Sequence, residues 1–234
     1  MPAVNIDLLS RGLAVLNLDP GEDRLPRLVK YIEEIELWNP AYGLVKAAGD
    51  ELVVKHILDS LAALPVLRKL GLPLDRVADL GSGAGLPGIP LALFLPESKL
   101  TLVERMEKRV RFLENQKARL GLANVQIVQA EAERVPGSFD LVTFRAFRPF
   151  SERKLFLGVT KLVPPGGAIA AYKGRLDTAR EELAALSTDP ILGPWAARAE
   201  VLPLSVPFLE EERCLVILRG QVEKADRGNI QTLF

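Results

Sequence analysis

Asp79, Glu104 and Arg145 each stand at or just past the end of a short apolar run, and Gly81, Gly83 and Gly85 follow the first of them. An acid at a strand end can hold a cation or accept from ribose hydroxyls. A glycine-rich turn lets backbone approach a ligand, because glycine has no Cβ and tolerates positive φ. Gly83-Ala84-Gly85-Leu86-Pro87-Gly88 fits the G-x-G-x-x-G dinucleotide fingerprint, and Glu104 falls where a ribose-binding acid belongs. Pro87 suits a helix start, where its missing N–H costs little. Pro87 and Pro90, however, remove two donors from the turn that would bind a pyrophosphate. S-adenosylmethionine has no phosphate and carries a sulfonium and an ammonium, so the prolines favour it over a nicotinamide dinucleotide. A glycine turn that only packs a helix on a strand is the third reading.

These residues need elements to position them. From Arg76 onward short apolar runs alternate with helical patterns: Val77 to Leu80, Leu100 to Val103, Val125 to Val128, Leu141 to Phe144, Ala168 to Tyr172 and Leu215 to Leu218, with another strand expected around Val201 to Leu204. That alternation predicts an α/β, Rossmann-like fold with a mostly parallel seven-stranded sheet. No helical pattern separates the last two runs, so they can pair as a hairpin and place one antiparallel strand. In such a sheet the ligand lies outside the carboxyl ends of the strands, where strand order reverses. The rule gathers Asp79, Gly81, Glu104, residues 129–133, Arg145 and Lys173 at one crevice.

Upstream, apolar spacing through Leu28, Ile32 and Ile35, and again through Leu52, Val53, Ile57 and Leu61, predicts a helical extension over residues 1–75. Asn39-Pro40-Ala41-Tyr42-Gly43 is expected to stop the first helix, through its proline, and Gly49 or Asp50 to cap the second. The core domain is expected over 76–220, with a polar tail over 221–234.

Thirty basic and thirty acidic residues cancel, so composition names no polyanionic partner. Their distribution is less neutral. Between Arg105 and Arg119 stand Arg105, Lys108, Arg109, Arg111, Lys117 and Arg119 against Glu107 and Glu114, which is either the solvated face of a helix or a set of phosphate contacts. Cys214 is the single cysteine, so no internal disulfide forms. No His/Cys/Asp set has metal spacing. The apolar stretch from Ile89 to Leu95 is too short to span a bilayer, and the N-terminus lacks a basic region followed by an apolar one. A cytoplasmic protein without a membrane segment is expected.

Six motifs in order carry a resemblance: Trp38-Asn39-x-Ala41-Tyr42, His56-Ile57-Leu58-Asp59-Ser60, Asp79 through Pro90, Lys108-Arg109-Val110-Arg111-Phe112-Leu113, Arg145-Ala146-Phe147 and Lys173-Gly174. From about Trp38 to Arg219 the chain resembles bacterial small-subunit ribosomal RNA guanine-N7 methyltransferases, also called glucose-inhibited division protein B. The resemblance implies S-adenosylmethionine as cofactor and 16S ribosomal RNA or the small subunit as partner; a monomer is expected. It implies that Gly81, Leu86, Ala132, Glu133 and Arg145 contact the cofactor, with Glu104 suited to the ribose. It raises His56 and Asp59, which share a helical face, as residues bordering the reaction site beside Arg145. The chain departs from the family at Pro40, Gly43 and Val45, and at Phe147-Arg148-Pro149.

Arg109, Arg111, Phe147, Arg148 and Lys173 are the candidate RNA contacts, Phe147 and Arg148 as a stacking face for the target base. For His56 a hydrogen-bonded packing role competes, and for Lys173 a solvated surface role. A methyltransferase acting on another substrate, a nicotinamide dehydrogenase and a non-catalytic RNA-binding assembly protein are the rival functions.

Overall fold

The computed structural model describes residues 3–146 and 149–220. Its elements, in chain order, begin with α1 (Ile6–Val15), α2 (Gly21–Tyr42), α3 (Gly49–Leu52), a π-helical segment (Val53–Leu58) and α4 (Asp59–Lys69). The sheet region follows with β1 (Arg76–Leu80), α5 (Gly88–Phe94), β2 (Lys99–Glu104), α6 (Glu107–Arg119), β3 (Val125–Gln129), a 3-10 turn (Ala132–Arg134) and β4 (Leu141–Arg145). Then come α7 (Arg153–Thr160), β5 (Ala168–Lys173), α8 (Leu176–Leu186), α9 (Gly193–Ala196), β6 (Glu200–Pro203) and β7 (Cys214–Arg219).

The seven strands form one sheet in the order β3-β2-β1-β4-β5-β7-β6. β7 runs antiparallel to β5 and β6, and every other pairing is parallel. The expected hairpin is present because no helix between β6 and β7 returns the chain across the sheet. Strand order reverses between β1 and β4. Period-two alternation divides the strand residues between two cores. Val77, Leu141, Ala168, Ala170 and Tyr172 pack with the N-terminal helices, α5 and α6, whereas Ala78, Val142, Phe144, Ile169 and Ala171 pack with α7 and α8.

The helical extension differs from expectation at three points. First, the stretch Asn39 to Gly43 does end α2, but at Gly43 and not through Pro40, which with Pro26 lies inside the helix. Gly43 takes φ 58° and returns its N–H to Asn39 O, the left-handed cap that a Cβ would disfavour. A proline in the last turn removes one bond of the ladder, which that cap outweighs. Second, neither Gly49 nor Asp50 caps α3 with a side chain; the Gly49 N–H donates to Glu36 Oε1 at 2.7 Å instead. Third, the helix widens into the π segment. There the Asp59 N–H bonds Val54 O and His56 O and skips Lys55 O, its α-helical partner.

The extension is fastened to the sheet layer by polar contacts as well as by its core. Arg27 donates to Leu120 O and Gly121 O and Lys30 to Arg119 O, so two cations meet the C-terminal carbonyls of α6. The buried Tyr31 hydroxyl donates to Ala84 O in the glycine loop at 2.7 Å, and Tyr172 donates to Ser60 O in α4 at 2.8 Å.

Candidate active site

Beyond β1 the chain leaves the sheet through Gly81, at φ 68°. Asp79 is 1% exposed and turned toward α5, where its Oδ2 accepts the Gly88 N–H at 3.0 Å and caps the first turn. This approach explains Gly88, since a Cβ there would lie 2.2 Å from Leu102 Cδ2 and 2.7 Å from Asp79 Oδ2. Asp79 Oδ1 has no hydrogen-bond partner among the described residues. Burial pushes the Asp79 carboxyl from 3.8 up to about 7, against the pull of the Gly88 N–H.

A cavity of about 310 Å³ opens at the carboxyl ends of the first four strands, at the point of strand-order reversal. Gly81 follows β1, Glu104, Arg105 and Met106 end and follow β2, residues 130–133 follow β3, and Ala146 follows β4; all line it. Glu104, 4% exposed, organises this floor. Its Oε2 accepts the Gly83 N–H at 3.0 Å, and its Oε1 accepts the Arg105 and Met106 N–H groups at 2.8 and 2.9 Å. One carboxylate thus ties the glycine loop to the end of β2.

On the far wall, the 3-10 turn rests directly on α7 at Gly158. A Cβ at Gly158 would meet Glu133 Cβ at 2.4 Å and Glu133 Cα at 2.9 Å. Gly158→Ala is therefore expected to push residues 132–134 into the cavity and weaken cofactor binding at least about tenfold. Calorimetric titration against the wild-type protein would read this, and unchanged affinity would refute the assignment of that wall.

Arg145 closes β4 beside the cavity, and three acceptors from the helical extension hold its guanidinium. Nη1 donates to Lys55 O and to Asp59 Oδ2, both at 2.9 Å, and Nη2 donates to His56 Nδ1 at 2.7 Å. The π segment makes this possible, because Lys55 O is the carbonyl that the Asp59 N–H skips. An arginine donates only, so His56 accepts at Nδ1 and carries its proton at Nε2. Burial, then the Arg145 charge, lower His56 from 6.5 to about 4. Burial raises the Asp59 carboxyl from 3.8, against the opposing pull of Arg145 and Arg213. Arg213 Nε stands 3.4 Å from Asp59 Oδ1. Directly after Arg145, Ala146 takes φ 49°, an unfavourable value for a residue with a Cβ.

Asp79 and His56 give opposite pH dependences. Between about pH 4 and 7 the native Asp79 keeps a proton that the unfolded chain has released, so stability falls as pH rises. Between about pH 6.5 and 4 the native His56 lacks a proton that the unfolded chain holds, so stability falls as pH drops. Asp79→Asn preserves an acceptor for Gly88 and removes the first effect. The variant should therefore gain more stability than the wild type on going from pH 4.5 to 6.5. Urea midpoints at the two values test this, and an equal or smaller gain counts against it.

The structure brings Arg145, Asp59 and His56 together and gathers Gly81, Glu104, Ala132 and Glu133 at the cavity. Gly83 joins through its N–H to Glu104, while Gly85 and Leu86 are buried beneath the loop. Arg109, expected on the RNA surface, lines the cavity with Nη1 3.8 Å from Glu104 Oε2. Arg111 is exposed and pairs with Glu107. Lys173 pairs with Glu182 at 2.6 Å and lies 4.3 Å from the Phe150 ring centre, so a phosphate would have to compete for it. Phe147 and Arg148 lie outside the described residues. Glu131 lies at the cavity within the expected 129–133 stretch, whereas sequence reasoning missed Tyr31, Arg213 and, in the cavity wall, Glu152. The signal for Arg213 was a charge beside the Cys214 strand; for Tyr31 it was a hydroxyl in the Leu28–Ile32 stripe.

Among the described residues, Glu104, Glu131, Glu133 and Glu152 line the cavity against Arg105 and Arg109, with Glu131 also paired to Arg134 at 3.2 Å. That excess of acid suits a cation and opposes a pyrophosphate. The buried Arg109 Nε also has no hydrogen-bond partner among the described residues, an open donor at the same wall. S-adenosylmethionine, cationic and without phosphate, fits this donor set. A nicotinamide dinucleotide does not.

A family model described as rRNA small subunit methyltransferase G matches residues 24–223. The chain is 42% identical over 218 residues to "Ribosomal RNA small subunit methyltransferase G" of Treponema pallidum (strain Nichols), covering 90% of this chain and 92% of that protein. It is 38% identical to the protein of that name from Cellvibrio japonicus, covering 91% and 94%. Among solved structures, a SAM-dependent methyltransferase from Aquifex aeolicus superposes with a TM-score of 0.54 at 15% identity, covering 80% of this chain and 98% of that one. Magnesium protoporphyrin IX methyltransferase from Synechocystis with bound SAM gives 0.53 at 17% identity, covering 81% and 97%. These two likenesses concern the fold. Among the described residues no helix is long and apolar enough to cross a membrane.

Proposed function

The chain belongs to the rRNA small subunit methyltransferase G family, and from that premise we propose that it transfers a methyl group from S-adenosylmethionine to N7 of one guanosine in small-subunit (16S) ribosomal RNA. It acts, in this reading, as a cytoplasmic monomer. The observation that carries the proposal is the acid-lined cavity at the strand-order reversal, with its glycine floor and the pinned Arg145 at its lip.

When bound, S-adenosylmethionine supplies an electrophilic methyl group on a positively charged sulfur. The carboxylates of Glu131, Glu133 and Glu152 favour that charge. Glu104 has about four acceptor sites and spends three on backbone N–H groups, which leaves one for a ribose hydroxyl. Guanine N7 offers a lone pair and carries no proton, so the chain needs no general base. His56, at about 4, stays neutral near pH 7 and serves as an acceptor for Arg145. What the chain must supply is orientation, which can contribute about 7–11 kcal/mol at best. As positive charge passes to the purine, the acidic wall continues to stabilise it. Arg145 fixes the end of β4 and the strained Ala146 at the mouth where the base must enter.

Incubation with methyl-labelled S-adenosylmethionine and either small subunits or naked 16S RNA, followed by mapping of the modified base, tests the proposal. Label at N7 of guanosine is expected. Label on another atom, or none in either substrate, would overturn it.

A further inference from the structure

α6 joins two hollows. Its N-terminal end, at Met106 and Arg109, borders the cofactor cavity; its C-terminal half, at Asn115 and Arg119, borders a second hollow of about 340 Å³ walled by Leu37, Trp38 and Tyr42 of α2. Trp38 meets Tyr42 edge-on, with centroids 4.9 Å apart and planes at 77°, and backs onto the buried Phe112 at 5.9 Å. The indole Nε1 donates to Glu34 Oε2 at 3.1 Å, and Glu34 Oε1 takes Arg119 Nη2 at 2.7 Å. The aromatic wall is therefore locked, and the Glu34 carboxylate beneath it is neutralised. Asn39 fixes the chain past Tyr42 by accepting from Leu44 and Val45 N–H and donating to Val45 O. Lys108, exposed on α6, holds its Nζ 5.9 Å from the Tyr42 ring centre.

A partly buried Trp–Tyr pair, a 55% exposed Leu37 and Lys108 at the rim make an apolar floor with a cationic edge. Nucleotides have that chemistry in complement: a flat π face and a phosphate. The charge run from Arg105 to Arg119, six basic residues against two acidic, leads from this floor to the cavity. From Arg109 to Asn115 is about 9 Å along the helix, a span that a few nucleotides of single strand cover.

We propose that this hollow is a docking socket for an unpaired nucleotide of the RNA substrate, its base stacked on Tyr42 and its phosphate on Lys108, while Arg119 stays paired with Glu34 beneath the floor. The proposal rests on the RNA substrate assigned above and adds a contact site remote from the methyl-transfer cavity. It also divides the work of the Trp38-Asn39-x-Ala41-Tyr42 motif, in which Trp38 and Asn39 hold the wall and Tyr42 binds the base.

Steady-state methyl transfer by the full chain on naked 16S RNA tests it, with Tyr42→Leu, Tyr42→Phe and Lys108→Gln as variants. Tyr42→Leu removes the π face and keeps an apolar side chain, whereas Tyr42→Phe keeps the ring. Tyr42→Leu is expected to raise the RNA KM about 5- to 20-fold, the size of one lost base stack, with kcat and cofactor affinity within about twofold of wild type. Tyr42→Phe should stay near wild type. Lys108→Gln should raise the RNA KM and lower the slope of log KM against log salt by about one charge. An RNA KM unchanged in both Tyr42→Leu and Lys108→Gln would overturn the socket, as would a loss confined to assembled subunits, which would mark a protein contact. Should Tyr42→Leu fail to fold, the exposed Lys108 carries the test alone. Wild-type protein that methylates no RNA would instead refute the substrate, and the socket with it.

Discussion

Arg145→Ala is expected to abolish methyl transfer to within about a hundredth of the wild-type rate while the chain still folds. The guanidinium has three acceptors, Lys55 O, Asp59 Oδ2 and His56 Nδ1, and its side chain is 15% exposed. Its removal leaves Asp59, whose side chain is 4% exposed, with Arg213 at 3.4 Å as its one cation among the described residues. Breaking one partner out of a buried pair costs about 3–5 kcal/mol, part of which Asp59 avoids by taking up a proton. Activity falls further than stability because Ala146, next in the chain, holds its unfavourable φ at the cavity mouth only while β4 is pinned. The double variant Arg145→Ala/Asp59→Asn separates the two effects. It should recover much of the lost stability, having no uncompensated carboxylate, and none of the activity. Recovery of both would reduce Arg145 to a structural ion pair. Loss of neither in the single variant would remove it from the site.

Glu104→Gln should weaken S-adenosylmethionine binding by about tenfold to a hundredfold, although it changes only one atom. The carboxylate faces three donors, from Gly83 on one oxygen and from Arg105 and Met106 on the other. An amide must present its NH2 to one side or the other, so at least one N–H loses its acceptor and meets a second donor. An unsatisfied buried group costs about 1–3 kcal/mol, and here the cost falls on the cavity floor. Titration calorimetry reads the affinity, and thermal unfolding reads the accompanying stability loss. Wild-type affinity in Glu104→Gln would show that the floor is built without this acid.

The sheet was legible because each strand is a separate apolar run closed by a polar or glycine residue, and because the chain between β6 and β7 lacks any helical pattern. Glu104 and Gly81 were legible at the cavity for the same reason: strand ends converge where strand order reverses. Arg109 was not, since a basic run reads as surface until the helix is docked and one of its turns faces inward. Pro40 misled because local stereochemistry forbids less than it suggests in a last turn, where Gly43 supplies the stop. Asp79 stands at the expected strand end, yet its carboxylate serves the N-terminus of α5, a choice made by rotamer and close packing on Gly88. The π segment left no trace in the apolar spacing, because Leu52, Val53, Ile57 and Leu61 fit an α-helix well enough to hide one extra residue.

That extra residue has a consequence for what substitution alone can reach. Each residue of an α-helix advances the chain by about 100°, and a π turn delays the advance by one step. The π segment thus absorbs one residue and leaves Gly49–Leu52 and Asp59–Lys69 in the phase that an unbroken helix one residue shorter would give them. Deleting any one of positions 53–55 would restore regular winding without turning either end, retain His56, Asp59 and Arg145, and return to the helix ladder the carbonyl that the Asp59 N–H now skips, so that Arg145 would lose one of its three acceptors. That acceptor is specified by counting, and a length change can remove it where no side chain of the cluster has been touched.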